Sequence, residues 1–356
     1  MSQLHKFLFD GLPVRGMLVQ LTDVWQEVLK RRAANAETGA YPEAVRHLLG
    51  EMTAASVLMQ SNIKFNGALV MQIFGDGPLK LAVVEVQPDL SLRATAKVVG
   101  ELGNASTLPE MVNVNNEGKC AITLDPLNKM PGQQPYQGVV PLFDDQRNKL
   151  DKFSDVLQHY MLQSEQLDTT LVLAANDTTA AGLLIQRLPI KGEGNLAAKA
   201  SMEDEDEIGR NEDYNRISIL ASSLTSDELL NLDAETILRR LFWEEKLVRF
   251  EPLTPSFACS CSRERVSNMI RSLGTEEVES ILAERGEVEV GCDFCGQQYH
   301  YDAVDAARLQ DRIQALHGNA RVADRKFLHL EAEFGGAAVN RATRVGHAEA
   351  RLLGVF

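Results

Sequence analysis

Four of the five cysteines in this 356-residue chain fall in two close pairs, Cys259-Ser260-Cys261 and, thirty residues later, Cys292-Asp293-Phe294-Cys295. Two short-spaced thiol pairs constrain a fold more than any helical stripe, because four side chains must converge on one point. The opening Met1 to Phe9 has no basic region leading into a long apolar core and no small-residue cleavage site, so a reducing, cytoplasmic setting is expected. There, paired thiols read as a metal site before they read as structural disulfides. The expected metal is Zn²⁺, one per chain, which takes four thiolates in a tetrahedron. The first pair departs from the usual two to four intervening residues. One residue between Cys259 and Cys261 holds these thiols close and lets them pair with each other once the metal leaves. That spacing suggests a site that oxidation opens.

The rest of the chain bounds the setting. Its length exceeds the ~100–200 residues of a typical domain, so two domains are expected, each able to bury a core. Hydrophobic content of 44% and charged content of 24% are those of a globular protein, and no apolar run approaches the ~20 residues of a membrane span. A formal charge of −14 opposes tight binding to phosphate backbones and counts against a nucleic-acid zinc ribbon.

Residues 1–188 read as a mixed α/β domain, a mixed sheet with helices packed on it. Met17 to Leu21 predicts a short strand. Thr22 then caps a helix with Val24, Trp25, Val28 and Leu29 on one face, and Pro42 opens a second with Val45, Leu48, Leu49, Met52, Ser56 and Met59. Phe65, Leu69, Met71 and Ile73 alternate up to Gly75-Asp76-Gly77-Pro78, which reads as a hairpin turn because no Lys-Ser or Lys-Thr follows to make a phosphate loop. Strands are expected at 79–86, 92–99, 119–124, 137–142, 169–175 and 179–188, and a helix beginning at Asp144 or Asp145. Cys120 lies within one of these strands and reads as a small buried hydrophobe. No Ser-His-Asp, HExxH or glycine-rich nucleotide pattern is present, so catalysis has little to rest on.

After Pro189 the composition changes. Residues 202–213 hold seven acids against Arg210 alone, and then Ile217, Leu220, Leu224, Leu229, Ile237, Leu238, Leu241 and Phe242 fall at helical spacing. Residues 189–250 are therefore read as a charged, helical linker. Its apolar faces pack on the first domain and are released to hold other proteins, or they are permanent core. Residues 251–314 form a zinc module of ~60 residues with few large apolar side chains, so the metal must supply much of its folding free energy. Residues 315–356, including His317, His329 and His347, are expected to be a flexible tail without a metal site.

Motif logic alone leaves three readings of the quartet open: a structural zinc ribbon, a redox switch and, least favoured because four thiolates leave no position for water, a catalytic zinc. A thiol oxidoreductase is the enzymatic rival, but Cys259-Ser260-Cys261 lacks a thioredoxin-like context.

The chain also resembles the 33 kDa chaperonin family of bacterial redox-regulated holdases. The likeness rests on Phe65-Asn66-Gly67, Gly75-Asp76-Gly77-Pro78, Tyr136-Gln137-Gly138-Val139-Val140, Ser164-Glu165-Gln166-Leu167, Ala181-Gly182-Leu183-Leu184, Cys259-Ser260-Cys261-Ser262-Arg263-Glu264-Arg265 and Cys292-Asp293-Phe294-Cys295, in order. The resemblance implies an ATP-independent chaperone, not an enzyme, with a metastable linker and a C-terminal zinc switch. It also implies zinc held by Cys259, Cys261, Cys292 and Cys295 in the reduced form, and Cys259–Cys261 and Cys292–Cys295 disulfides in an active, dimeric oxidised form that binds unfolding client proteins. Two features depart from the pattern, the Pro-rich connection from Asp125 to Pro135 and the tail after about residue 314.

Overall fold

The computed structural model describes residues 1–35, 39–103, 106–128, 133–188 and 205–309, with the backbone alone for 205–211. The tail, its three histidines and the first residues of the acidic run, 202–204, lie outside the described residues. Chain contacts divide the molecule into two compact units, Met1–Ala258 and the residues from Cys259 onward.

The first unit is organised around one helix. α2 (Glu43–Asn62) follows α1 (Asp23–Ala33) and buries thirteen of its twenty residues, from Ala44 to Gln60. A helix apolar on nearly every side belongs between layers, and sheets flank α2 on both sides. One is a five-stranded antiparallel sheet of β1 (Gln3–Phe9), β2 (Val14–Leu21), β8 (Thr169–Ala175), β9 (Ala180–Arg187) and β10 (Leu247–Arg249), in the order β10-β1-β2-β9-β8. The other has six strands, β3 (Gly67–Phe74), β4 (Leu79–Val86), β5 (Ser91–Val98), β6 (Lys119–Pro126), β7 (Tyr136–Pro141) and β11 (Ser256–Phe257), in the order β11-β5-β4-β3-β6-β7. Only β11 on β5 is parallel, which makes this sheet mixed. The expected α/β class therefore holds, with the sheet divided in two.

Local chemistry explains several elements. Between β3 and β4, an added Cβ would lie 1.9 Å from the Leu79 carbonyl oxygen at Gly75 and 2.4 Å from that of Met111 at Gly77, so only glycine fits. Between these glycines the Asp76 carboxylate accepts the N–H groups of Val114, Asn115 and Glu117, at 2.6, 2.8 and 3.0 Å. The short helix α3 (Leu108–Val112) is closed by a Thr107–Glu110 capping box. Asp144, the expected start of a helix, instead accepts the N–H groups of Gln146 and Asn148 in a turn, and α4 begins later (Phe153–Glu165). Aspartate bonding its own backbone two residues on closes a turn as readily as it caps a helix.

The outer face of the five-stranded sheet is covered by α5 (Glu205–Ser222), α6 (Ser226–Asn231) and α7 (Ala234–Leu241). A second core forms there, separate from the one around α2. Phe7, Phe9, Leu18, Leu183 and Ile185 of the sheet meet Ile217, Leu229, Ile237, Leu238 and Phe242. The Phe242 ring stands edge-on to Phe9, with centroids 5.1 Å apart, and lies 6.2 Å from Phe7. Polar contacts align the helices: Gln20 Nε2 donates to the Leu229 and Leu232 carbonyls at 3.0 and 2.8 Å, and Thr170 Oγ1 bonds the hydroxyls of Tyr214 and Ser218. The linker's apolar stripes thus pack on the first domain, an arrangement common to both fates weighed from the sequence, a releasable cover and a permanent core.

The second unit contains α8 (Arg263–Leu273), α9 (Thr275–Arg285) and a hairpin of β12 (Val288–Gly291) and β13 (Gln298–Tyr301). Ser262 caps α8, its hydroxyl oxygen accepting the Arg265 N–H at 3.2 Å. Its buried apolar core is small: Ile270, Val278, Val288, Val290, Tyr301 and Ala306.

Candidate metal centre

Two turns deliver the four cysteines. Cys259 and Cys261 lie in the loop ahead of α8, and Cys292 and Cys295 occupy the turn of the β12–β13 hairpin. That turn is tight: the Gly296 N–H donates to the Cys292 carbonyl at 2.8 Å and the Cys292 N–H to the Gln297 carbonyl at 3.0 Å. Gly296 adopts a positive φ of 74°, a left-handed conformation that glycine takes at no steric cost. Main-chain N–H groups point inward, those of Cys295 and Phe294 at the Cys292 sulfur and that of Gln297 at the Cys295 sulfur. Such donors favour a thiolate. On the other side, Ser260 Oγ accepts from Arg265 Nη1 at 2.6 Å, which ties the short loop to the first turn of α8.

The four sulfurs all lie within 4.8 Å of one another, half-buried, with Cys259 and Cys292 Sγ 3.7 Å apart and Cys261 and Cys295 Sγ 3.3 Å apart. Zinc–thiolate bonds of ~2.3 Å in a tetrahedron require sulfur separations of ~3.8 Å, so the donor set fits Zn²⁺ in size as well as chemistry. Electrostatics agrees. The neighbouring Cys259 sulfur, and then burial, hold the Cys292 thiol well above the usual range, and burial pushes Cys295 up to about 11. Four sulfurs this close cannot all ionise unless a cation sits among them.

All four cysteines read from the sequence as ligands are thus brought together. Cys120 is buried in β6, where burial pushes its thiol up to about 12, and has no place in the cluster. A participant that spacing does not reveal is Tyr299, whose hydroxyl donates to Cys261 Sγ at 3.2 Å and is held protonated by that bond. Its only sequence signal is the alternation of the strand after Cys295, which sends Tyr299 and Tyr301 to the same side. A separate exposed grouping, Glu287, Glu289 and His300 on the hairpin, brings the imidazole within 3.5 Å of two carboxylates, an arrangement that suits ion pairing when His300 is protonated.

Comparison with known proteins places this architecture. The family model described as "Hsp33 protein" matches residues 2–302. The 33 kDa chaperonin of Chromobacterium violaceum is 47% identical over 310 residues, covering 87% of this chain and 94% of the relative, and that of Methylobacillus flagellatus is 41% identical over 319 residues, covering 89% and 97%. The crystal structure of the 33 kDa chaperonin from Thermotoga maritima superposes with a TM-score of 0.67 at 19% identity, over 88% of this chain and all of that one, which shows a common fold. With the family model spanning nearly the whole described chain and relatives this similar over most of their length, the chain belongs to the Hsp33 family.

Proposed function

We propose that this protein is a redox-regulated, ATP-independent holdase chaperone of the cytoplasm. In the reduced state Cys259, Cys261, Cys292 and Cys295 hold one zinc ion, and the protein is inactive. The metal, when bound, supplies the charge that lets four adjacent thiolates coexist. Ionised sulfurs are already the nucleophilic form, so they attack a peroxide-class oxidant and break its O–O bond without a prior proton loss. Each pair then gives up two electrons and closes a disulfide, Cys259–Cys261 and Cys292–Cys295, while the oxidant is reduced to water. Both pairings join sulfurs within 4.8 Å of each other. The sulfurs so bonded no longer hold the metal, and a module whose core cluster has six buried apolar residues loses its main source of folding free energy. Helices α5 to α7 then leave the sheet, the exposed faces capture unfolding clients, and two chains associate as the active form during oxidative and heat stress.

The observation that carries this reading is the second core between the five-stranded sheet and α5–α7, a set of large apolar side chains whose cover comes from the segment preceding the cysteine module. Relatives named chaperonins support the same role. The experiment compares zinc-loaded, reduced protein with protein treated with peroxide at mild heat. The reduced form is expected to leave a heat-unfolded client to aggregate, and the treated form to release one zinc per chain and suppress aggregation. Equal suppression before and after oxidation would favour the rival reading, a constitutive zinc-containing interaction protein.

A further inference from the structure

The second unit carries a cationic groove that the cysteine chemistry does not use. Arg263, Ser267 and Arg271 recur every fourth residue along α8 and so share one face of the helix. With Tyr301, Asp305 and Arg308 they line a pocket of about 360 Å³, and Leu309 adds an apolar edge. Three arginines against one aspartate stand out in a chain whose net charge is −14.

The arginines are not equivalent. Arg263 is committed: its Nη2 lies 2.6 Å from Asp305 Oδ2, and its guanidinium stacks 4.4 Å from the centre of the Tyr301 ring. Tyr301 is fixed in turn, its hydroxyl donating to the Arg263 carbonyl at 2.9 Å and sharing a 3.1 Å bond with Ser267. Arg271 and Arg308 have no carboxylate partner among the described residues. Arg271 Nη1 donates to Asn268, but its Nε is buried and has no acceptor. A buried guanidinium N–H without a partner is uncommon, because the group has lost water and gained nothing. The groove is thus rigid on the Arg263–Tyr301 side and holds unspent donors on the Arg271–Arg308 side.

We propose that this groove binds a small molecule carrying a phosphoryl group, with Arg271 and Arg308 holding the phosphoryl oxygens. Guanidinium forks match the oxygens of a phosphoryl group, and a doubly charged tetrahedral anion satisfies donors from two directions at once. The volume exceeds that of a bare oxyanion, which leaves room for an organic body against Leu309. Because α8, Tyr301 and residues 303–309 meet only in the folded unit, the ligand stabilises the reduced module by mass action. The proposal stands on the pocket alone and does not need the chaperone reading.

The test is calorimetric titration of the full-length, reduced, zinc-loaded protein with inorganic phosphate and with fructose 1,6-bisphosphate, at ionic strength held constant with sodium chloride. Saturable binding is expected, tighter for the bisphosphate, and weakened about tenfold or more by Arg308→Ala at an exposed position. Arg271→Lys, which keeps the charge and loses the fork, is expected to weaken it several-fold, with zinc content and circular dichroism unchanged. Absence of binding by both phosphorylated probes, affinities unaltered in both variants, or equal binding of the dicarboxylate malonate would overturn the phosphoryl assignment.

Discussion

The separability of α5–α7 from the rest of the first unit can be tested at Phe242. Its side chain is 2% exposed and packs on Phe9 and Phe7, at the end of α7. Phe242→Ala removes a ring from the second core without touching the core around α2, and truncations of this kind cost about 3–5 kcal/mol. At about 1.4 kcal/mol per factor of ten, the equilibrium between docked and undocked helices shifts by roughly 10² to 10⁴. Hydrogen exchange on reduced, zinc-loaded protein reads this directly: amides of α5–α7 should lose protection by that factor, while those of α2 keep theirs. Leu49→Ala is the matched control, since Leu49 is fully buried in the α2 core, and it should lower protection across both sheets. The variant at Phe242 should also suppress client aggregation without oxidant. Equal loss of protection in α2 and in α5–α7 would show that the helices open only when the whole unit unfolds, and the reasoning would fail.

Other expectations concern the metal centre and pH. Cys259→Ser combined with Cys261→Ser should abolish stoichiometric zinc, measured with a colorimetric chelator, and uncouple activity from oxidant; retention of one zinc per chain would remove the pair from the site. Tyr299→Phe deletes the hydroxyl donating to Cys261 and should weaken zinc affinity about 10-fold in a chelator competition, as losses of outer-shell partners do; an unchanged affinity would make that bond incidental. Glu51 on α2 has its carboxyl pushed up to about 8 by burial, with Lys152 pulling it back in part. A raised folded value means the folded state holds its proton more tightly than the unfolded chain. Its contribution is therefore full below the ordinary value of 4.5 and is lost as pH rises toward about 8. Glu51→Gln should flatten the decline in melting temperature across that interval, and a parallel decline in both proteins would contradict the assignment.

Much of the architecture was legible because it is local. The stripes on α1 and α2, the Gly75–Pro78 hairpin and the Ser262 cap each follow from residues a few positions apart. Elements completed by distant partners were not. The strands β1 and β10 pair across more than 200 residues, and β11 is two residues long with its parallel partner at β5, so neither β10 nor β11 carries a periodicity of its own. Asp144 misled because the same side chain closes a turn or caps a helix, and packing decides between them.

The metal centre divides along the same line. Residue type and spacing alone determined that four thiols come in two pairs, that a small core accompanies them and that the set suits a metal ion such as Zn²⁺, since thiolate chemistry belongs to the side chains themselves. Only the tertiary structure decided that Cys259 faces Cys292 and Cys261 faces Cys295, that Tyr299 donates to one of the sulfurs, and that α5–α7 cover one sheet of the first unit. Those facts depend on which surfaces meet, and surfaces far apart in the chain meet through burial and shape rather than through any short-range pattern.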